Sequence, residues 1–209
     1  MAFDYKKEYR AFYVPKGKPE IIRIPKMNFV AVRGHGNPND ADGAYKHAVG
    51  TVYGIAYTIR MSYKGDHRIE GFFEYVVPPL EGLWWTDVPG GDISKKNEYN
   101  WISMIRLPDF VTEADFDWAV AEATRKKKAD FSASTFFTYD EGLCVQCMHV
   151  GPFDAEPATV AAMEEYAVAD GYKIDFTDTR MHHEIYLSDI TKVKPESWKT
   201  VIRHPIKKD

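Results

Sequence analysis

Short runs of hydrophobic residues, many of them β-branched or aromatic, are separated along the chain by turns rich in Gly, Pro and Asn. Runs of this kind predict β-strands, and a proline ends several of them. A Gly/Pro turn is predicted over residues 86–92. The predicted strands cover residues 21–32, 71–77, 101–107, 135–139, 143–150, 182–187 and 197–203.

A first helix is predicted from Asp42, because apolar positions there recur every three to four residues. Gly50 and Gly54 share another face of this helix, where we expect close approach to a neighbouring element rather than a contact between membrane helices. The predicted buried stripe consists of Tyr45, Val49, Val52, Ala56 and Ile59.

Two further helices are predicted in the second half of the chain. Thr112 caps one of them, with Asp115 three residues later, and the basic run 125–128 closes it in agreement with the helix dipole. The other covers residues 156–169, with Gly171 after its C-terminal end. Its inward positions are predicted to be Val160, Met163 and Ala167.

The order of these elements repeats. FVAVRGHGNPND, a helix and a strand ending in EYVV form one half, and CVQCMHVGPFD, a helix and the strand HHEIYL form the other. Each half is too small to bury its sheet and helix alone. The pattern therefore predicts an α+β fold in which residues 21–209 form one domain of two repeats, preceded by an N-terminal arm over residues 1–20.

Composition narrows the class of protein. The chain carries 27 basic and 31 acidic residues, and this acidic balance argues against direct nucleic-acid binding. No apolar run approaches the roughly 18 residues that span a bilayer, the N-terminus resembles no secretory signal, and two cysteines make no disulfide framework. We therefore expect a soluble cytoplasmic protein with no membrane partner.

Metal and thiol motifs are present, but their spacing argues against metal or thiol chemistry. Cys144 and Cys147 lie in a predicted strand, where an offset of three places them on opposite faces, so we predict that they fill the core. His182 and Glu184 share a strand face from which His183 points away, and two ligands are fewer than a catalytic zinc requires. We predict no metal and no other cofactor.

His149 has two further interpretations. It would complete a three-ligand site with His182 and Glu184, and it shares a strand face with Cys147. The Cα atoms of Cys147 and His149 would be about 7 Å apart with no third group to orient them, which disfavours a nucleophilic pair. We predict that His149 lines a groove instead.

Glu184 is the most informative residue, because a carboxylate on a strand must be solvated, paired or placed for chemistry. An exposed edge strand would explain Glu184 and Tyr186 equally well. The aromatic residues favour a groove, because Tyr and Trp bury their rings well only when their polar tips find partners. Those placed to border it are Tyr53, Tyr57, Tyr75, Trp84, Trp85, Trp101 and Tyr186.

Taken together, several segments resemble a GyrI-like protein of the SOUL/GyrI-like superfamily, over about residues 21–205 and most closely its stand-alone members without a DNA-binding domain. The segments are FVAVRGHGNPN, GIAYTI, FEYVVPPLEGLWW, NWISMIRLPDFVTEADFDWA, EGLCVQCMHVGPFDAEPATV and RMHHEIYLSD. The resemblance implies a duplicated βαββ fold with pseudo-twofold symmetry. It also implies an antiparallel sheet with two helices on one face that form an aromatic ligand groove around one central glutamate.

That glutamate matches Glu184. In multidrug-sensing relatives it recognises cationic lipophilic drugs, and some stand-alone relatives are hydrolases that open the cyclopropane ring of cytotoxic natural products. The resemblance also implies, less directly, that Trp85, Tyr57 and Trp101 belong to the ligand site.

Three functions remain open. The first is a cofactor-free, detoxifying cyclopropanoid hydrolase in which Glu184 acts as general base and Tyr57 or Tyr186 donates to the substrate carbonyl. The second is a protein that binds or sequesters a lipophilic aromatic or cationic ligand without turnover, and the third is a modulator of DNA gyrase. The residues predicted to bind the ligand are Tyr53, Tyr75, Trp85, Trp101, His149 and Tyr186.

Overall fold

The computed structural model describes residues 2–87 and 95–209, so the turn predicted over 86–92 lies mostly outside the described residues. The chain divides into two compact units. The first unit comprises the described residues of 1–5 and 27–139, and the second comprises residues 6–26 and 140–209.

The first unit is built on four antiparallel strands that pair in the order β5-β6-β3-β7. A short parallel pair, β1 with β4, also belongs to it. The strands are β1 (Phe3–Asp4), β3 (Met27–His35), β4 (Tyr75–Val76), β5 (Leu80–Trp85), β6 (Asn100–Arg106) and β7 (Thr135–Tyr139), and the helices are α3 (Ala44–Arg60) and α4 (Glu113–Lys127).

The second unit has four antiparallel strands in the order β2-β8-β11-β10, and a further strand, β9, pairs with the end of β11. Its helix α5 packs Met163 and Ala167 against Val145, Cys147 and Ile202. The elements are β2 (Glu20–Ile24), β8 (Gly142–Val150), α5 (Glu156–Ala169), β9 (Tyr172–Ile174), β10 (His182–Tyr186) and β11 (Lys199–Lys208).

The two units contain the same βαββ motif, which confirms the predicted α+β fold with a duplicated unit. In the first, β3 leads through α3 to β5 and β6; in the second, β8 leads through α5 to β10 and β11. The central strand of each motif, β6 or β11, pairs with both of the others. The groove that the resemblance implies stays a prediction.

One detail of the predicted repeat was wrong. EYVV is not the counterpart of the strand HHEIYL: Tyr75–Val76 pairs with β1, and β5 takes the place that β10 has in the second motif. The tandem prolines 78 and 79 separate these two strands, because proline donates no hydrogen bond to a ladder. The strand predicted over 71–77 is accordingly reduced to two residues.

A shared Ile-Arg-x-Pro sequence aligns the two motifs residue by residue. It covers 105–108 at the end of β6 and 202–205 in β11. Ile105 faces Leu80 of β5, whereas Ile202 faces Glu184 of β10. The position of Glu184 in the second motif is therefore that of Leu80 in the first, and His204 corresponds to Leu107.

Residues 2–20, the described part of the predicted arm, contain the short helices α1 (Tyr5–Glu8) and α2 (Arg10–Tyr13) in addition to β1. Tyr5 and Tyr13 are buried. In the second unit, the carbonyl of Ala11 accepts a hydrogen bond of 2.7 Å from the Gln146 side chain, which ties α2 to β8.

The predicted helix ends are confirmed. Asp115 N donates to Thr112 Oγ1 at 3.2 Å while Thr112 N donates to the Asp115 carboxylate at 3.1 Å, a reciprocal capping box. Residues 125–127 form the last turn of α4. Helix α5 covers 156–169 as predicted, and Gly171 follows it with φ +79°, a conformation that glycine adopts without strain.

No helix in the described ranges is long and apolar enough to span a membrane.

Close approach at the glycine pair of α3 occurs at Gly54 only. A methyl group there would overlap the ring of Phe131, whereas a methyl group on Gly50 would meet nothing within 4 Å. Phe131 is buried in the core of the first unit with Val52, Ile55 and other residues of α3. Gly54 therefore makes room for a side chain rather than for another backbone.

This difference gives a matched pair of substitutions. Gly54→Ala should lower the free energy of unfolding by about 1–2 kcal/mol, because overpacking outweighs the gain in helix propensity. Gly50→Ala should raise it by about 0.5–1 kcal/mol, since the methyl group has space. Urea unfolding measures both, and equal stability of the two variants would contradict this account of Gly54.

Candidate functional site

Strand β10 presents different chemistry on its two faces. His183 and Ile185 are buried, with 1% and 0% of their surface exposed, while His182, Glu184 and Tyr186 alternate with them and are partly exposed. This alternation confirms that His182 and Glu184 share a face from which His183 points away.

The buried face of β10 is fixed by an ion-pair triad. His183 Nδ1 lies 2.8 Å from Glu141 Oε1, and Arg203 Nη1 donates to Glu141 Oε2 at 3.2 Å. Burial alone would raise the pKa of Glu141, but His183 and Arg203 outweigh it and lower the pKa to about 2. Arg203 also donates to Gln146 Oε1 at 2.9 Å and to the Phe12 carbonyl, so this triad is hydrogen-bonded from several elements.

On the other face, Glu184 lies among polar groups. Its side chain is 14% exposed, and its Oε1 is 3.0 Å from His182 Nε2. Its carboxyl group is also hydrogen-bonded to that of Glu156, the first residue of α5. Glu184 is thus neither a fully solvated surface residue nor part of the core.

Glu156 is the residue of this site that carries a proton. It is 8% exposed, and its Oε1 is buried with no hydrogen-bond partner among the described residues. Burial and then the negative charge of Glu184 raise the pKa of Glu156 to about 10. A neutral Glu156 can donate to the Glu184 carboxylate, so the pair holds one proton and one charge.

Sequence reasoning missed Glu156. An acidic residue in the first turn of a helix is ordinary, because it suits the helix dipole, and nothing in its spacing links it to a strand 28 positions later. The burial of the Glu156 carboxyl group results from the packing of α5 on the sheet, which the sequence pattern does not contain.

Three side chains could offer ligand atoms to a metal ion: His182 and Glu184, which the sequence indicated, and Glu156, which it did not. One ligand atom each from Glu156, His182 and Glu184 lies within 4.8 Å of the other two. The three side chains also contact one another through the His182–Glu184 and Glu156–Glu184 hydrogen bonds. We therefore interpret them as a hydrogen-bonded acid–base cluster.

His149 and Tyr186 belong to the same unit as this cluster. His149 is buried; its Nδ1 is 2.8 Å from Thr159 Oγ1 and its Nε2 is 3.2 Å from the Pro152 carbonyl. These contacts tie the end of β8 to the first turn of α5, where Glu156 lies. Tyr186 packs edge to face on Phe153 at 5.9 Å between ring centroids, and Phe153 contacts Trp198 at 5.0 Å.

The other predicted site residues belong to the first unit and differ in exposure. Tyr53 and Tyr57 stack on α3 with centroids 6.2 Å apart, and Tyr57 is 53% exposed. Trp85 is half-buried under the guanidinium group of Arg33, 4.9 Å from the ring centroid. These three aromatic residues present surface to solvent, and their contact with a ligand stays a prediction.

Tyr75 and Trp101 are core residues of the first unit, at 2% and 1% exposure. Burial raises the pKa of Tyr75. The Trp101 ring lies against Gly34, and its Nε1 donates to the Gly36 carbonyl at 3.2 Å. Both rings are buried inside the first unit, and their contact with a ligand stays a prediction.

The two cysteines are buried, as predicted. Burial raises the pKa of both thiols, and Glu141 adds to this effect at Cys144 while Glu20 adds to it at Cys147. Both thiols are therefore poor nucleophiles at neutral pH.

The fold is that of an α+β protein with a duplicated βαββ motif. Residues 17–207 match the model of the GyrI-like small molecule binding domain, and the chain belongs to this GyrI-like family. No functionally curated protein shows significant similarity to it.

Solved structures support this assignment. A protein from Listeria innocua described as a hydrolase is 45% identical over 98% of this chain and 100% of its own, with a TM-score of 0.89. A structure of an uncharacterized conserved protein from the same organism has the same identity and coverage and a TM-score of 0.92. The C-terminal domain of EcmrR, at 14% identity over 92% of this chain and 98% of its own, shares the fold with a TM-score of 0.57.

The raised pKa of Glu156 predicts how stability depends on pH. Between the unfolded pKa of 4.5 and the folded value of about 10, the folded chain keeps a proton that the unfolded chain releases, so the wild type loses stability as pH rises. Glu156→Gln removes this loss and keeps a donor for Glu184. The free energy of unfolding of Glu156→Gln minus that of the wild type should therefore increase by up to about 1.4 kcal/mol for each unit that the pH rises.

Thermal or urea unfolding at pH 5.5, 7 and 8.5 measures the difference. Glu165→Gln, on the exposed surface of the same helix, is the control and should show no such trend. A difference between Glu156→Gln and the wild type that is constant with pH would contradict the buried, protonated state of Glu156.

Proposed function

We propose that this protein is a hydrolase that opens the cyclopropane ring of electrophilic cyclopropanoid natural products, with Glu184 as the general base. The observation that carries the proposal is the cluster in which a partly buried Glu184 carboxylate is hydrogen-bonded by His182 and by a neutral Glu156. The hydrolase description of the Listeria innocua protein at 45% identity supports an enzymatic role.

The reaction is an addition of water. The water oxygen forms a bond to a ring carbon, the cyclopropane C–C bond breaks, and its electron pair moves through the conjugated system to the carbonyl oxygen. Glu184 takes a proton from the attacking water, and the carbonyl oxygen takes up a proton in turn. Because ring strain is released and the product becomes aromatic, acid–base assistance of about 10²–10⁴-fold per group suffices.

The contact between the carboxyl groups of Glu156 and Glu184 suits this task. Glu156, whose pKa is raised by burial and by the charge of Glu184, holds its proton at neutral pH and can donate it in a hydrogen bond to Glu184. Tyr186, on the same face of β10, is the tyrosine of the second unit that we assign to the substrate carbonyl. Tyr57 is its alternative from the first unit.

The same cluster supports a second candidate function, which is binding without turnover. The carboxylate of Glu184 keeps 14% of its side chain exposed, so it can pair with a cationic lipophilic ligand, and the family is one of small-molecule-binding domains. Aromatic rings such as Tyr186 and Phe153 would add cation–π and stacking contacts.

Glu184→Gln separates these functions. With a duocarmycin-type cyclopropanoid as substrate, we expect the wild type to form the ring-opened water adduct, detected by mass spectrometry, and Glu184→Gln to lower kcat by about 10²–10⁴-fold. Glu165→Gln should retain the wild-type rate. A wild type that binds the compound without product supports the binding function, and an unchanged rate in Glu184→Gln refutes the role of Glu184.

A further inference from the structure

The turn between β8 and α5 lies over the accessible face of β10. Phe153 of this turn packs edge to face on Tyr186, with ring centroids 5.9 Å apart, and the carboxyl group of Glu156 is hydrogen-bonded to that of Glu184. Three residues of a 3₁₀ turn advance by about 6 Å, and two residues of a strand advance by about 7 Å. The turn therefore brings Phe153 and Glu156 to two neighbouring side chains on one face of β10.

The imidazole of His149 joins the two ends of this turn. Its Nε2 lies 3.2 Å from the carbonyl oxygen of Pro152, and its Nδ1 lies 2.8 Å from Thr159 Oγ1 in the first turn of α5. A carbonyl oxygen only accepts, so Nε2 is the donor, and in the neutral ring the Thr159 hydroxyl donates to Nδ1. One ring thus holds the start of the turn against the start of the helix that carries Glu156.

Backbone hydrogen bonds hold the same carbonyl group and the residue before it. The Pro152 carbonyl also accepts from Ala155 N at 2.9 Å, and Gly151 N donates to the carbonyl of Trp198 at 3.0 Å. The ring of Phe153 contacts that of Trp198, with centroids 5.0 Å apart. The turn is therefore tied to the segment before β11 by its backbone and to α5 by the imidazole.

The position of β10 is set from its other face. His183 there is held by Glu141, which also pairs with Arg203. A displaced turn would therefore move Glu156 while Glu184 keeps its place.

We infer that His149 is a positioning residue for the acid–base pair: by holding the turn, it keeps the Glu156 carboxyl group in contact with Glu184. This inference rests on the proposed function of Glu184. His149 is 4% exposed and both of its ring nitrogens have partners within the fold, so it acts through Glu156 rather than by touching the substrate. This role differs from the ligand contact that the sequence predicts.

Thr159→Val tests this role from outside the imidazole. Valine has nearly the shape of threonine but no hydroxyl, so His149 loses one of its two partners and the turn loosens. With the duocarmycin-type cyclopropanoid as substrate, kcat should fall by about tenfold, since a displaced carboxyl group assists the reaction less, while KM should change by less than about twofold. Thr159→Ser keeps the hydroxyl and should restore kcat to within about twofold of the wild type.

Ile206→Val is the control for a loss of stability alone. Ile206 is buried in the core of the same unit, where β11 pairs with β9, and β11 has its other end beside the turn. Loss of a methylene there should lower the urea midpoint and leave kcat unchanged. The inference is wrong if Thr159→Val equals Thr159→Ser, if Ile206→Val loses as much kcat, or if a raised KM is the only effect of Thr159→Val, as a direct ligand contact would predict.

A double variant shows whether His149 and Thr159 act through the same link. His149→Leu removes both hydrogen bonds and should lower kcat at least as much as Thr159→Val. Adding Thr159→Val to His149→Leu should then lower kcat by less than about twofold more, because the bond between them is already lost. Losses that multiply in the double variant contradict a shared role.

Amide hydrogen exchange measures the turn without substrate. The Ala155 N–H, which donates to the Pro152 carbonyl, should exchange about fivefold faster in Thr159→Val than in the wild type, and no faster in Ile206→Val. Unchanged exchange in Thr159→Val overturns the inference whether or not the protein is a hydrolase. If exchange accelerates but Glu184→Gln hydrolyses at the wild-type rate, the proposed function fails and the hold of His149 on the turn stands.

Discussion

The site depends on one electrostatic constraint: Glu156 and Glu184 face each other where there is too little water to solvate two negative charges. The pair therefore keeps one proton, and burial assigns it to Glu156. Around this pair, His182 Nε2 lies 3.0 Å from Glu184 Oε1, and His182 Nδ1 lies 2.7 Å from His204 Nε2.

The two βαββ motifs share a backbone plan but differ at the positions of the acid–base cluster. Where the second motif has Glu184 and His204, the first has Leu80 and Leu107. The first unit consequently buries a large hydrophobic core around α3 and α4, whereas the second buries histidines, glutamates and an arginine that must all find partners. The first unit buries fewer charged side chains, namely Glu81 and Arg106, at 2% and 4% exposure. Buried polar groups cost free energy unless they are hydrogen-bonded, so the second unit depends more heavily on its polar contacts.

Local sequence signals predicted the elements well, and long-range contacts limited the prediction of the site. The capping box at Thr112 and the bounds of α5 depend on residues within a turn of each other. The partners of Glu184 do not: Glu156 lies 28 positions before it and His204 lies 20 positions after it. Which side chains meet there is decided by the register of β11 on β10 and by the packing of α5, neither of which a periodic pattern contains.

The triad of Glu141, His183 and Arg203 has a consequence for the opposite side of β10. Two consecutive histidines make this strand ambiguous, because a shift by one residue would still place an imidazole in the interior but would turn Glu184 inward with it and His183 to the opposite face. The contacts of Glu141 with His183 and Arg203 favour the observed alignment, because they hold His183 and not Glu184 beside the interior carboxylate. A salt bridge on the reverse side of the sheet thus determines the face of β10 on which His182 and Glu184 lie.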